Sequence, residues 1–212
     1  GSPYVGITQS KGPVLDDILS VIDELGLSYG EYSDPRKPQV VTLHIHGGRD
    51  FVRRVQEDSG SGARNKRIPR WLMEHSDLQV LDSLWSALWA GDGSMAGGSQ
   101  VYSTVSEGLA SDVQELLIRI GKASSVTFHG RDGARHYRVR VLQNGIIGSK
   151  PTARSWEPYN GQVWCVSTPN GIVYVRRNGN GVWCGNCYRS WEPGLNPNVR
   201  KVRDDQEVYL QN

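Results

Sequence analysis

Two stretches of the chain run in parallel, and a repeat of that kind limits the possible folds more than any other feature. In the first, YVGITQ (4–9) precedes PVLDDILSVIDELG (13–26), then LSYGEYSDPRKPQ, then VVTLHIH (40–46). In the second, QVYSTV (100–105) precedes EGLASDVQELLIRIG (107–121), then KASSVTFHGRDGA, then HYRVRVL (136–142). Ile18, Ile22 and Leu25 correspond to Val113, Leu117 and Ile120, an i, i+4, i+7 helix face closed by Gly26 or Gly121. Val41, Leu43 and Ile45 correspond to Tyr137, Val139 and Val141 once a single residue is inserted ahead of them in the second copy. Each unit reads strand, helix, strand, turn, strand, and the chain is expected to be a duplicated α+β structure.

Alternation divides the last strand of each unit into two faces. His136, Arg138 and Arg140 lie opposite Tyr137, Val139 and Val141, and Thr42, His44 and His46 lie opposite Val41, Leu43 and Ile45. A polar face of this kind suits a solvated amphipathic sheet, and it also suits a strand-based reader of a DNA groove. Lys and Arg total 24 against 22 Asp and Glu. Affinity for nucleic acid must therefore come from one face, not from bulk charge. Arg36, Lys37, Arg138 and Arg140 are the candidates for phosphate or base contacts, since arginine takes guanine with two hydrogen bonds.

Between the units lies PRWLMEHSDLQVLDSLWSALWAGDGSMAGG (69–98). Ser76 is the expected N-cap of a helix with Leu78, Leu81, Trp85, Leu88 and Trp89 in an apolar stripe. Ser86, Ala87, Ala90 and Gly91 are small, which permits close approach of a second helix, and the helix is expected to end at Gly91-Asp92-Gly93. Preceded by KRIPRW (66–71) and followed by strand, helix and basic hairpin, this segment resembles the LAGLIDADG homing endonucleases. Aligned on Asp92-Gly93, WSALWAGDG keeps Leu88, Asp92 and Gly93 of the motif.

The resemblance implies a duplicated αββαββ saddle over residues 1–150. Its two motif helices would pack at a pseudo-twofold axis, each bringing one carboxylate to shared divalent ions, and its sheets would lie along double-stranded DNA. It implies Asp92 as a ligand of Mg²⁺, a hard cation that takes carboxylate oxygens and polarises a phosphodiester. Lys66 and Lys150, near the ends of the two units, match the family's basic residues close to the metal. The first motif helix has no counterpart in the sequence, so this polypeptide alone is expected to make no double-strand break.

From residue 158 the composition changes to short β-rich runs, VWCVST, GIVYVRR and GVWCG, separated by Pro-Asn-Gly and Asn-Gly-Asn-Gly turns. The run leads to Asn186-Cys187 and is similar to the C-terminal, Hint-type splicing segment of an intein. The resemblance implies a small all-β segment over 151–186 and host sequence, the C-extein, over 187–212. Asn186 would attack its own backbone carbonyl with its side-chain amide nitrogen, closing a succinimide and releasing the amine of Cys187. Cys187, as thiolate, would first collect the upstream acyl group.

Gly185 stands where inteins usually have His, a variant similar to some phage-borne inteins. Cys165 stands where many have Asp, as a tuning or additional nucleophile, or as a small buried strand residue. No N-terminal splicing block is present, so splicing would need an upstream intein sequence or separate N-terminal intein fragment, with host exteins as partners.

Three cysteines, all after residue 164, argue for reduced thiols with a local task and for a cytoplasmic setting. Cys184-x-x-Cys187 is half of a zinc ribbon, but the sequence supplies no second half. No apolar run approaches the ~20 residues of a membrane span, so no membrane partner is expected. An alternative reading keeps the DNA-binding or endonuclease domain and gives the tail no splicing role.

Overall fold

A computed structural model describes residues 3–130, 136–143, 158, 160, 161, 168–177 and 179–185, and the backbone of 199–203 and 206–209. The chain divides into two compact units, Gly1–Ile146 with Asn178–Asn180, and Ile147–Arg177 with Gly181–Asn212.

The first unit is α+β and runs β1 (Val5–Ser10), α1 (Pro13–Glu24), β2 (Ser28–Ser33), β3 (Val40–His46), α2 (Gly48–Ser59), α3 (Arg70–Met73) and α4 (Leu78–Asp92). It continues with β4 (Gly93–Ala96), β5 (Ser99–Thr104), α5 (Glu107–Arg119), β6 (Ser124–His129) and β7 (His136–Val141). The early strands form an antiparallel sheet in the order β1-β3-β2, and the later ones follow the order β4-β5-β7-β6.

The duplication holds to the level of register. Leu43 takes Ile7 on one side and Glu31 on the other, and its counterpart Val139 takes Tyr102 and Val126. Both α1 and α5 end in the same motif. Gly26 (φ 64°) and Gly121 (φ 75°) adopt left-handed backbone, while Leu27 N–H donates to Ile22 and Lys122 N–H to Leu117. Those two 6→1 bonds satisfy carbonyls that the helix end would otherwise orphan.

Each sheet buries one face under its helix. Leu15 and Ile22 of α1 pack on Val41, Leu43 and Ile45, and Val113, Leu116 and Leu117 of α5 pack with Tyr102, Tyr137 and Val139. The second core is larger because α4 adds Leu81 and Trp85 to it. The first sheet has no such cover. Among the described residues its unit has no counterpart of α4, nor of β4, so β1 is an edge strand in the position that β5 occupies inside its own sheet.

Several expectations need correction. The cap of α4 is Asp77, whose Oδ1 accepts from Gln79 N–H at 2.8 Å, because Ser76 lies one residue too early. Leu25 and Leu78 are exposed, not core. Leu25 is the C-cap, where the chain leaves the packed face, and Leu78 projects from the first turn beyond the end of the core. Helix α2, with Val52 buried, fills a stretch for which the repeat predicts nothing.

In the second unit, the Pro-Asn-Gly turn closes through Gly171 N–H to Thr168 C=O at 3.2 Å, with Gly171 at φ 66°. Two strands follow, β8 (Ile172–Arg177) and β9 (Asn180–Gly185), Asn180 itself counting with the first unit. A final antiparallel pair comprises β10 (Val199–Arg203) and β11 (Gln206–Tyr209).

Candidate functional site

Helix α4 ends by running straight into β4. Gly93 donates its N–H to the Trp89 carbonyl, and a Cβ at Gly93 would fall on that same carbonyl and on the Trp89 ring. Only glycine permits the junction, and the residue before it, Asp92, is thereby fixed at the last position of the helix. Gly93 pairs with Tyr102 of β5. Burial, and next the negative charge of Asp92, push the Tyr102 hydroxyl up to about 12, so it stays a protonated neutral neighbour of the carboxylate. Asp92 is exposed and, among the described residues, no basic side chain pairs with it.

Beside Asp92 opens a groove of about 790 Å³. One wall is the face Leu84, Ala87, Leu88 and Gly91 of α4, spaced i, i+3, i+4, i+7. Val5 and Ile7 of β1 and Val52 and Val55 of α2 also line it. The repeat gives this groove a meaning. Tyr102, the counterpart of Ile7, lines the groove and shares a core with Trp85 of α4, whereas Ile7 packs partly buried on the first core with no equivalent of α4 over it among the described residues.

Lys66 lines the same groove. Its backbone is pinned by α5 through three consecutive residues. The Ser106 hydroxyl donates to the Lys66 carbonyl at 2.7 Å, and Asp112 accepts from Arg67 Nε and Nη2 at 2.7 and 2.8 Å and from Ile68 N–H at 2.9 Å. Ser106 also caps α5 by accepting from Leu109 N–H at 3.1 Å.

The helix-free faces of the two sheets differ in chemistry. Register places Thr8, Thr42 and Tyr32 in one row of the first sheet and Gly6, His44 and Gly30 in the next, with His46 beside Ser28. On the second sheet Ser94, Val101, Arg140 and Ser125 share a row, then Ser103, Arg138 and Thr127, then His136 and His129. These rows of the first face hold no Lys, Arg, Asp or Glu, and those of the second carry two arginines. Arg36 and Lys37 sit in the β2–β3 turn, where the Arg36 guanidinium forks onto Asp34 at 2.8 and 3.1 Å.

Residues 79–150 match the family described as LAGLIDADG-like domain. The match opens in the first turn of α4 and covers one full αββαββ unit, α4 through β7. The chain is also 33% identical over 104 residues to a DNA-directed RNA polymerase subunit beta C-terminal section of Stigeoclonium helveticum, covering 40% of this chain and 10% of that one. It is 35% identical over 49 residues to an ATP-dependent Clp protease proteolytic subunit of Chlamydomonas moewusii, covering 23% of this chain and 5% of that one. It therefore spans a tenth or less of these curated relatives. Among solved structures, I-DmoI in complex with DNA and Mn is similar at 11% identity and TM-score 0.49, over 66% of this chain and 75% of that chain. I-DmoI with DNA and Ca gives 13% identity and TM-score 0.46, over 66% and 69%.

Within the first unit, the structure brings Asp92 and Lys66 to one groove and sets His44, His46, His136, Arg138 and Arg140 on helix-free sheet faces. Lys150, Cys165, Asn186 and Cys187 lie outside the described residues. Gly185 is the exposed last residue of β9, next to Cys184, a half-buried free thiol. Sequence reasoning missed Asp112 and Ser106, which need the tertiary contact to be visible. It also missed Tyr4 and Tyr32, for which a signal existed: Tyr-x-Gly at 4–6 and Gly-x-Tyr at 30–32 put each ring on the same strand face as a glycine.

Proposed function

We propose that this chain is the larger part of a LAGLIDADG-type homing endonuclease domain that binds double-stranded DNA, joined to the C-terminal splicing segment of an intein. The observation that carries the nuclease reading is the delivery of Asp92 by α4 to the groove that also holds Lys66. An exposed carboxylate with no basic partner among the described residues suits Mg²⁺, which is commonly bound through one or two carboxylates plus substrate phosphates. The ion, when bound, would polarise the scissile phosphodiester and activate a water. The protein's own share is to hold the Asp92 oxygens at the helix end, to keep Tyr102 neutral beside them, and to present Lys66 from a backbone pinned by α5.

A second carboxylate must come from elsewhere. The open groove and the free edge of β1 support a helix and strand equivalent to α4 and β4, supplied ahead of Pro3 or by a separate polypeptide. The test is cleavage of duplexes selected on the protein. With Mg²⁺ the 212-residue polypeptide alone should bind but not break both strands. Addition of a helix–strand segment ending in Asp-Gly should restore breakage, and Asp92→Asn should abolish it. Double-strand cleavage by the polypeptide alone would remove this reading.

The splicing part rests on the Asn186-Cys187 pair after short strands. Two relatives with unrelated activities, a polymerase subunit and a protease subunit, each match this chain over a small share of their length. An element inserted in unrelated hosts would give that pattern. The second reading, a DNA-binding or endonuclease protein with no splicing, is favoured by the family match, which covers only residues 79–150.

A further inference from the structure

The helix-free face of the first sheet carries a three-ring stack centred on His44. The Tyr4 and His44 ring centroids are 3.8 Å apart with the planes 12° from parallel, and Tyr32 and His44 are 4.2 Å apart at 35°. Tyr4 approaches from the β1 side and Tyr32 from β2, so the imidazole is flanked from both neighbouring strands. The arrangement depends on two glycines. Both direct cross-strand neighbours of His44 are Gly6 and Gly30. A Cβ on Gly6 would lie 3.6 Å from the Tyr4 ring, and one on Gly30 would lie 3.3 Å from the Tyr32 ring. Each tyrosine therefore lies across the glycine two residues away on its own strand face, against His44.

A ring held in this way cannot swing to suit a phosphate wherever one happens to lie. Its two faces are engaged and its edge, with one nitrogen donor or acceptor, is what remains for a partner. Phosphate contacts position a protein on DNA, whereas base edges are read by groups held in fixed geometry. Of the two helix-free faces, the second carries cationic side chains for phosphates, Arg138 and Arg140, and on the first sheet Arg36 and Lys37 sit in the β2–β3 turn, away from His44 along its strand.

We infer that the Tyr4–His44–Tyr32 sandwich reads a base edge at one position of the DNA half-site under the first sheet, while the arginine-bearing second sheet supplies the salt-dependent hold. This rests on the DNA-binding reading above. Removing the ring nitrogens should erase one base preference and leave the electrostatics alone.

The experiment is selection of bound duplexes from a randomised pool by the full chain, followed by affinity measurements on the recovered duplex at several salt concentrations. His44→Phe keeps a stacking ring without nitrogens, and so separates reading from folding. It should lose the preference at one base-pair position, with about tenfold weaker binding to the preferred base and an unchanged salt slope. Tyr4→Ala and Tyr32→Ala should weaken the preference at that same position, and the corresponding Phe variants should keep it. Arg138→Ala should lower affinity for all duplexes and reduce the salt slope by about one. If His44→Phe recovers the same sequences as the wild type, the sandwich does not read a base. If the wild type enriches no sequence and binds no duplex, the DNA-binding reading fails and takes this inference with it.

Discussion

Asp112 shows how much one side chain decides here. It is a carboxylate buried in the apolar face of α5, and it ties down the strap that carries Lys66 by accepting three hydrogen bonds. Its partners would suffer unequally from its loss. The Arg67 side chain is 53% exposed and returns to water at little cost, whereas the Ile68 N–H is buried and would be left without its acceptor. Asp112→Ala should therefore destabilise the protein by about 1–3 kcal/mol in urea unfolding, the usual penalty of an orphaned buried donor. Asp112→Asn, whose amide oxygen still accepts, should lose less. In sequence Asp112 is one acid among the 22 Asp and Glu residues, on a helix whose apolar spacing says nothing of it. Asp92 was legible for the opposite reason, because it sits in a local motif whose neighbours, small residues before and glycine after, announce a helix end.

Among the elements, α3 and α5 are joined by a charged cluster with a predictable response to acid. Glu115 accepts from Arg70 at 3.1 and 3.2 Å and from Arg119 at 2.8 and 3.0 Å. Burial pushes its carboxyl up, but the hydrogen bonds from Arg119 and Arg70 outweigh this and leave it below the ordinary value. A carboxyl lowered on folding adds stability that is complete above its unfolded pKa and vanishes as pH falls through the folded one. Thermal melts should show wild type above Glu115→Gln at neutral pH, with the gap closing as the solution is acidified below the carboxylate range. A gap that widens in acid would reverse the assigned sign. The helices and strands of the repeat were legible because period and glycine caps agree in both copies. Helix α2 was not, because its amphipathic pattern has no second copy to be compared with, and β4 was hidden in GSMAGG, where a two-glycine turn at φ 57° and 74° folds four residues back on β5.

For the molecule as a whole, the splicing proposal makes the sharpest demand. Complemented with a matching N-terminal fragment, the wild-type chain should yield a ligated product that begins its new segment at Cys187. Asn186→Ala should abolish release of the tail, and Cys187→Ala should block ligation while release continues. Mass spectrometry distinguishes these outcomes, and an unchanged chain in all three cases would leave the second unit without a splicing role. The sequence by itself determined the duplicated α+β unit, the core face of each strand and the position of Asp92, since these follow from local periodicity and from residues whose backbone demands are fixed. Tertiary structure alone decided that Ser106 and Asp112 pin the segment from Lys66 to Ile68, that two glycines let Tyr4 and Tyr32 grip His44, and that a groove beside β1 brings Asp92 and Lys66 together. Each of those depends on strands and helices distant in the chain arriving side by side, and period within a segment carries no record of what the segment will meet.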